Sequence, residues 1–168
     1  MNVLDVGGGI ANRASEFYPG SEITTLDLQT GWDVMQKGLP DGPWDIILAN
    51  HFIEHIPDPD YFLDECKRVM SKDTVLDIGT PNLAAWYNRI LFLFGYLPNH
   101  SEVSKRFDVG KFPRLRQGLG GHIYVYPLKA LLQLLKCHGF NIISVRGEGS
   151  LRCWPSLSSA FRIKCTLS

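Results

Sequence analysis

Apolar and polar residues along the chain fall into blocks of strand length and helix length. Six short apolar runs predict β-strands, and one of them, WDIILA, is unbroken, as expected for a parallel strand that helices cover on both faces. These runs cover residues 2–6, 23–28, 44–49, 74–79, 141–145 and 161–167. The order of the blocks predicts an α/β fold with a mostly parallel sheet and one antiparallel strand near the C-terminus.

Three stretches between these strands carry helix signals and cover residues 10–18, 59–71 and 127–138. In the second stretch Asp58 is suited to the N-cap and Pro59 to the first helical position, and the apolar residues that follow recur on one face. The third ends at Gly139, a residue suited to a helix C-terminus. We therefore expect helices against both faces of the sheet.

Length and charge limit the kinds of protein that this chain can be. At 168 residues the chain suits one domain with its own core, so we expect residues 1–168 to form a single domain. Seventeen basic residues balance seventeen acidic ones, and both signs occur within the predicted helices. No charge field therefore draws the protein to nucleic acid, and a small partner is favoured.

The four cysteines indicate the compartment. They lie far apart and form no C-x-x-C motif, which argues against a zinc ribbon and against a disulfide framework. The N-terminus, MNVLDVGGG, has no basic region followed by an apolar one, so it does not match a signal peptide. The sequence therefore predicts a cytoplasmic protein with reduced thiols.

Three glycines, Gly7, Gly8 and Gly9, directly follow the first predicted strand. Glycines at that point let a ligand approach the backbone closely, and the helix that follows offers unpaired N–H groups. Asp27 lies at the end of the second predicted strand, where a carboxylate can accept both hydroxyls of a ribose. The dinucleotide pattern G-x-G-x-x-G fails at Asn12, which makes a pyrophosphate ligand less favoured.

Five segments in this order, VLDVGGG, TLDL, WDIILANHFIEHIPDP, DIGTPN and GHIYVYPLKALLQLLKCHGF, resemble the class I S-adenosylmethionine-dependent methyltransferases. Within that class the chain is similar to the branch that modifies small molecules, as in ubiquinone and menaquinone biosynthesis. The resemblance implies a Rossmann-like fold with a seven-stranded, mostly parallel sheet and an antiparallel C-terminal strand. It also implies an enzyme that uses S-adenosyl-L-methionine to methylate a small or lipid-like acceptor by in-line displacement.

The same resemblance implies which residues bind the cofactor. They are Asp5, Gly7, Gly8, Gly9, Asp27, Leu28, Asp33, Val34 and Asn50. The glycine loop would surround the methionine part, Asp27 would hold the ribose, and Asp33 with Val34 would position the adenine. Asn50 would lie at the mouth of the pocket.

The tract NHFIEHIPDP places His51, Glu54 and His55 within five residues, in the H-x-x-E-H pattern of a zinc protease. Pro57 follows too closely for one long helix to hold both histidines over a zinc ion, so we predict no metal site. In some quinone-biosynthesis methyltransferases, the resemblance implies, the Glu-His pair and an earlier acidic residue bind a divalent cation. A cation bound with the help of His51, and a purely hydrogen-bonding role, both stay open.

Two histidines are predicted to act as general bases. If the acceptor is a hydroxyl group, His55 or His122 would take its proton, because the unperturbed pKa of histidine lies near neutral pH. A base is optional here, since the sulfonium already activates the methyl carbon. Either histidine could equally bond only to the backbone.

Residues 83–121 form a connection longer than the fold requires and predict a cap-like insertion over the acceptor site. Its first part, AAWYNRILFLFGYLP, is apolar but shorter than the ~20 residues that span a bilayer. The basic residues of the second part are Lys105, Arg106, Lys111, Arg114 and Arg116. An apolar wall beside cations suits a lipid-like acceptor and peripheral membrane contact. A subunit interface, as in a homodimer, and an ordinary buried helix pair fit the same pattern.

Two other classes of protein stay open at this stage. A nicotinamide-dependent oxidoreductase is disfavoured by the failed glycine pattern and by the antiparallel last strand. A non-catalytic binding or partner subunit with the same fold is the other alternative. Family members usually have a helix before the first strand, whereas this sequence starts almost at that strand.

Overall fold

The computed structural model describes residues 1–9, 14–115 and 118–168, and within them one six-stranded sheet. Its strands are β1 (Asn2–Val6), β2 (Glu22–Leu26), β3 (Ile46–Asn50), β4 (Val75–Pro81), β5 (Phe140–Glu148) and β6 (Ala160–Leu167). Their order is β2-β1-β3-β4-β6-β5, with β1 to β4 paired in parallel and β6 antiparallel to both of its neighbours. The predicted Rossmann-like α/β fold with an antiparallel C-terminal strand is confirmed.

Five α-helices connect the strands of the described chain. They are α1 (Ala14–Phe17), α2 (Val34–Lys37), α3 (Pro59–Val69), α4 (Trp86–Leu93) and α5 (Leu128–Cys137). The helix predicted over residues 10–18 is tested only in part, because residues 10–13 lie outside the described chain. The helices predicted after Asp58 and Pro127 are confirmed as α3 and α5.

The strand number is where the family expectation needs correction, because the described chain has six strands and not seven. The sequence pattern itself marked six strands, and the seventh came only from the resemblance. The segment that would supply an outer strand beside β2 is residues 27–45. That segment forms a 3-10 turn and α2, and contains Gly31 and Gly38 at positive φ together with Pro40 and Pro43. Such residues interrupt a strand ladder.

Helices cover both faces of the sheet, as predicted. Successive strand residues point to opposite faces. On one face Leu4 and Ile47 belong to a large core shared with α2, α3 and α5. On the other face Val3 and Leu48 pack with Ala14 of α1. The strands are therefore buried on both sides, and their carboxyl ends are the natural place for a ligand.

Helix α3 fixes the segment that leads out of β3 toward these strand ends. Asp58 caps it by accepting a hydrogen bond from the Tyr61 N–H at 2.9 Å. Its buried residues Phe62, Leu63 and Cys66 are fully inaccessible to solvent. The tract between β3 and α3 is consequently held at both ends, although it is irregular.

The long connection after β4 begins and ends at one point. Asn82 forms an isolated bridge with Tyr126, and the Leu83 N–H donates to the Tyr126 carbonyl at 3.1 Å. Between these residues the described chain contains α4 and a 3-10 turn, Pro113–Leu115. The connection therefore leaves and rejoins the fold at one place.

Candidate cofactor and acceptor site

A cleft of about 460 Å³ opens at the carboxyl ends of β1 and β2. We call it the strand-end cleft. Five of the predicted cofactor residues line it, namely Gly7, Asp27, Leu28, Asp33 and Val34. A smaller cavity of about 320 Å³, the glycine cavity, is lined by Asp5, Gly7, Gly8 and Asn50 among others. The structure thus brings eight of the nine predicted cofactor residues to two adjoining cavities, and Gly9 contacts one of the eight, Asp27.

The glycine loop is built so that its backbone borders both cavities. Gly7 has a φ of 77°, and its N–H donates to the Leu26 carbonyl at 2.7 Å, which ties the end of β1 to β2. A side chain at Gly7 would meet the Phe52 ring at 2.4 Å. Gly9 also has a positive φ, 61°, and faces open space. Only glycine suits the first position, and a ligand can approach the loop closely.

Asp27 is fixed by the backbone on both sides of it. Its Oδ1 accepts from the Gln29 N–H at 2.8 Å, and its Oδ2 accepts from the Gly9 N–H at 3.1 Å. Each carboxylate oxygen can accept a second hydrogen bond. The carboxylate is therefore held rigidly at the end of β2 with acceptor capacity left for two ribose hydroxyls.

The next residues present a carboxylate and apolar side chains to the strand-end cleft. Asp33 caps α2 by accepting from the Met35 N–H at 2.9 Å through Oδ1, and we expect its Oδ2 to meet the exocyclic amine. Leu28 is 72% exposed within the strand-end cleft and offers an apolar face to the ring. Trp32 lines the same cleft. These residues fit the nucleoside part of S-adenosylmethionine.

Asp5 is a buried carboxylate with one oxygen that lacks a hydrogen-bond partner within the described chain. It is 2% exposed, and its Oδ2 has no hydrogen-bond donor among the described residues. Burial, helped by the negative charge of Asp27, raises the pKa of Asp5 to about 6. An unpaired oxygen beside the glycine cavity is a suitable partner for a cationic group, and S-adenosylmethionine carries an ammonium and a sulfonium. The residues present therefore fit this cofactor.

Asp5→Asn should raise the stability of the ligand-free protein and weaken cofactor binding. The pKa of Asp5 rises from 3.8 to about 6 on folding, so the free energy of unfolding should fall as pH rises between these values and then level off. At pH 8 the Asn variant should gain up to about 3 kcal/mol, and at pH 3.5 nearly nothing. Urea unfolding at both pH values measures this. An equal change in the free energy of unfolding at pH 8 and at pH 3.5 would contradict the raised pKa of Asp5.

The side chain of Asn50 is held by Arg162, a residue that the sequence did not predict to belong to the site. Its Oδ1 accepts from Arg162 Nη2 at 2.7 Å, and Arg162 also donates to Glu148 at 2.8 Å. The guanidinium lies 3.9 Å from the centre of the Phe17 ring, which lines the glycine cavity with Asn50. The sequence pointed to Arg162 only in that a charged residue stands there among the apolar residues of the strand predicted over 161–167.

A third cavity, of about 360 Å³, lies between the end of β4 and the segment 83–121. We call it the histidine cavity. Its lining residues are His51, Pro81, Tyr87, His100, Glu102, Lys111, Gly118, Gly120, His122, Ser159 and Ala160. Sequence analysis predicted that residues 83–121 would contribute here but singled out apolar side chains. Phe92 instead lines a separate outer groove, and Phe94 is 71% exposed.

The two histidines predicted as bases come together. The rings of His55 and His122 stack with centres 4.7 Å apart, and His100 meets His122 edge-on at 5.2 Å. His55 lines the strand-end cleft, whereas His122 lines the histidine cavity. Burial, together with the nearby His122, lowers the pKa of His100, so its ring is neutral at pH 7. The histidines form a polar wall between the two cavities.

Glu102 orients His122. Its Oε1 lies 3.3 Å from His122 Nδ1 and accepts from the Gly120 N–H at 2.6 Å. Burial alone would raise the pKa of Glu102. The hydrogen bonds from the Gly120 N–H, His122 and the Gly121 N–H outweigh it and lower that pKa. The carboxylate is therefore charged at neutral pH. Glu102 lies in an irregular segment, so no periodic pattern of the sequence predicted it.

The same region contains a set of side chains that could hold a metal ion. Glu54, His55 and His122 each offer a ligand atom, and these atoms lie within 4.8 Å of one another. Glu54 already accepts from Thr80 Oγ1 at 3.0 Å and lies 3.1 Å from His51 Nδ1. The tract precedes α3, so no helix in the described chain holds the two histidines as a zinc protease would. That the protein binds no metal stays a prediction for elemental analysis.

The methyltransferase domain family matches residues 1–145, and the chain belongs to that family. A comparison with curated proteins found no match. Family membership and fold confirm the predicted class, an S-adenosylmethionine-dependent methyltransferase, and the predicted cofactor. The oxidoreductase alternative is set aside by this result.

Three solved structures illustrate the shared fold. Mitomycin 7-O-methyltransferase MmcR has 17% identity and a TM-score of 0.63, over 99% of this chain and 49% of that one. An S-adenosylmethionine-dependent methyltransferase from Clostridium acetobutylicum has 13% identity and a TM-score of 0.64, and the match covers 99% of this chain and 84% of that one. The glycopeptide N-methyltransferase MtfA, complexed with S-adenosylmethionine, has 10% identity and a TM-score of 0.61, and the match covers 99% of this chain and 81% of that one. The chain spans about half the length of MmcR.

Proposed function

We propose that this chain transfers a methyl group from S-adenosylmethionine to a small acceptor bound in the histidine cavity. The observation that carries the proposal is that His51 lines the strand-end cleft, the glycine cavity and the histidine cavity. A donor held by Asp27 and an acceptor held beside His122 would therefore meet at one place. Residues 83–121 act as the cap of a single domain.

Each part of the site has a defined task in this proposal. When bound, S-adenosylmethionine supplies a methyl carbon that its sulfonium makes open to attack. Asp27 and Asp33 orient the nucleoside, and Asp5 balances positive charge in the glycine cavity. The cap keeps water away from the acceptor, which favours displacement over side reactions. If the acceptor is a hydroxyl group, a histidine of the site takes its proton, and the sequence predicted His55 or His122 for this role.

The surface of the cap supports a lipid-like acceptor. The outer groove, of about 460 Å³, is lined by Leu83, Phe92 and Leu97 among others. Helix α4 borders both sites, since Tyr87 lines the histidine cavity and Asn88 lines the groove. We propose an acceptor with a polar head in the cavity and an apolar tail along the groove. A quinol would suit this arrangement and the quinone-biosynthesis branch.

Exposed apolar side chains extend this surface outward. Phe92, Leu93 and Phe94 are consecutive and are 68%, 81% and 71% exposed. The basic residues Lys105 and Arg106 belong to the same insertion, whereas Arg116 lies outside the described chain. None of the described helices is long and apolar enough to span a bilayer. We propose peripheral contact with an anionic membrane in the cytoplasm, and a homodimer that buries this patch is the alternative that light scattering distinguishes.

Methyl transfer to phenols with and without an alkyl tail tests the lipid-like acceptor. Phe92→Ser should lower kcat/KM about tenfold for the tailed phenol, a loss of about 1.4 kcal/mol, and leave the tailless one nearly unchanged. Trp154→Ser, at a residue that is 62% exposed in another loop, is the matched control. Equal losses for both phenols would refute the tail site. S-adenosylhomocysteine binding without turnover on any acceptor would favour the non-catalytic subunit.

A further inference from the structure

His51 occupies the junction of the site. Among the described residues it alone lines the strand-end cleft, the glycine cavity and the histidine cavity. Its side chain is 48% exposed, so the ring is accessible to a ligand. An acceptor atom that reaches the strand-end cleft from the histidine cavity would therefore lie beside this ring.

The backbone of His51 is held in an unusual conformation. Its φ is 55°, in the left-handed region that residues other than glycine seldom adopt. Its N–H donates to the Gly79 carbonyl at 2.8 Å, which continues the pairing of β3 with β4 by one residue. Strained positions of this kind concentrate at functional sites, where the surrounding structure holds them. With this backbone conformation His51 lies directly after β3 and borders all three cavities.

Glu54 fixes the ring of His51. Its side chain is fully buried, with Oε1 3.1 Å from His51 Nδ1 and Oε2 accepting from Thr80 Oγ1 at 3.0 Å. Its backbone carbonyl accepts from the N–H groups of Ile123 and Tyr124 at 2.8 and 3.1 Å. A carboxylate placed in this way favours the tautomer with the proton on Nδ1. The lone pair on Nε2 is then free to accept a proton.

The two histidines predicted from the sequence are less well placed. His55 lines only the strand-end cleft and its Nδ1 faces the Gly121 carbonyl at 3.3 Å. His122 lines only the histidine cavity, beside Glu102 and Lys111. Neither borders the donor and the acceptor at once. Position and tautomer both favour His51.

We propose that His51 is the catalytic base of the methyl transfer and that Glu54 positions it; this rests on the proposed function. Nε2 takes the proton of the acceptor hydroxyl as an oxygen lone pair forms the bond to the methyl carbon. The electron pair of the broken carbon–sulfur bond stays on sulfur. The products are a methyl ether, S-adenosylhomocysteine and a protonated His51, which returns its proton to solvent.

His51→Asn tests the base role, because asparagine tolerates the left-handed backbone but cannot take the proton. With a phenol that is un-ionised at pH 7.5 we expect kcat to fall at least about 100-fold, within the range that general bases contribute. With a nitrophenol that is already ionised, the loss should stay below about fivefold, and S-adenosylhomocysteine affinity should be kept. His55→Asn and His122→Asn are matched controls that should not discriminate between the two phenols.

Nitrogen-15 NMR of the imidazole rings provides a second readout that needs no turnover. His51 should carry its proton on Nδ1, and Glu54→Gln, which has one acceptor oxygen in place of two, should reduce the share of that tautomer. A proton on Nε2, or equal losses for the two phenols in His51→Asn, would overturn the base role alone. No methyl transfer by the unmodified protein to either phenol would overturn the proposed function, and the base role with it.

Discussion

Replacing Arg162 by methionine should lower the free energy of unfolding by about 3–5 kcal/mol, the usual cost of removing one partner of a buried ion pair. Arg162 is 7% exposed and donates to Asp77, which is 1% exposed, at 3.3 Å. Lys164 lies 3.6 Å from the same carboxylate, at a longer distance and on a more exposed side chain. Loss of Arg162 therefore leaves the buried Asp77 carboxylate with the neutral Tyr18 hydroxyl as a donor and Lys164 as its remaining cation. Urea unfolding followed by circular dichroism measures the change.

A matched control exists on the neighbouring strand. Arg146 pairs with Arg162 in the register of β5 and β6 but is exposed. Arg146→Met should change the stability by less than about 0.5 kcal/mol, as surface substitutions usually do. Equal losses in the two variants would show that the ion pair with Asp77 contributes nothing. Arg162→Met should also weaken cofactor binding, because Asn50 loses the donor that holds it.

Gly8→Ala should lower the affinity for S-adenosylhomocysteine at least about 100-fold, equivalent to about 2.7 kcal/mol. A methyl group on Gly8 would lie 1.8 Å from Oδ2 of Asp5, so the buried carboxylate would have to move. Overpacking of this kind also destabilises the fold by about 1–3 kcal/mol. Calorimetric titration and thermal unfolding measure the two effects separately.

The double variant Gly8→Ala/Asp5→Ala separates the clash from the loss of binding. Removing the carboxylate makes room for the new methyl group, so thermal stability should return while the affinity stays low. A single Gly8→Ala variant that binds S-adenosylhomocysteine as tightly as the unmodified protein would place the cofactor elsewhere.

The sequence predicted the sheet well because buried strands have a direct signature in the order of apolar residues. All six marked runs correspond to strands, and α3 and α5 begin beside the prolines that predicted them. The grouping of the proposed cofactor residues around two cavities was predictable for a related reason, since most of them lie at or after the ends of strands. For the described residues the prediction of a seventh strand was wrong. It came from the family resemblance, whereas glycines and prolines interrupt residues 27–45, which would have formed that strand.

The acceptor side could not be predicted in the same detail. His100 and Glu102 lie in an irregular segment without periodicity, and only the folded chain brings them to His122. Arg162 reaches Asn50 across 112 residues of sequence. The role proposed for His51 depends on a left-handed backbone and a buried carboxylate, neither of which a local pattern reveals.

Calorimetric titration with S-adenosylhomocysteine, of the unmodified protein and of Asp27→Ala, is the most direct test of a methyltransferase site at the ends of β1 and β2. We expect one site per chain, with Asp27→Ala weakening the affinity by about 1.5–3 kcal/mol through the loss of a charged hydrogen-bond acceptor. Asp73→Ala, at an exposed residue in the turn after α3, should bind as the unmodified protein does. Absence of binding, or equal affinity in Asp27→Ala and Asp73→Ala, would contradict this site.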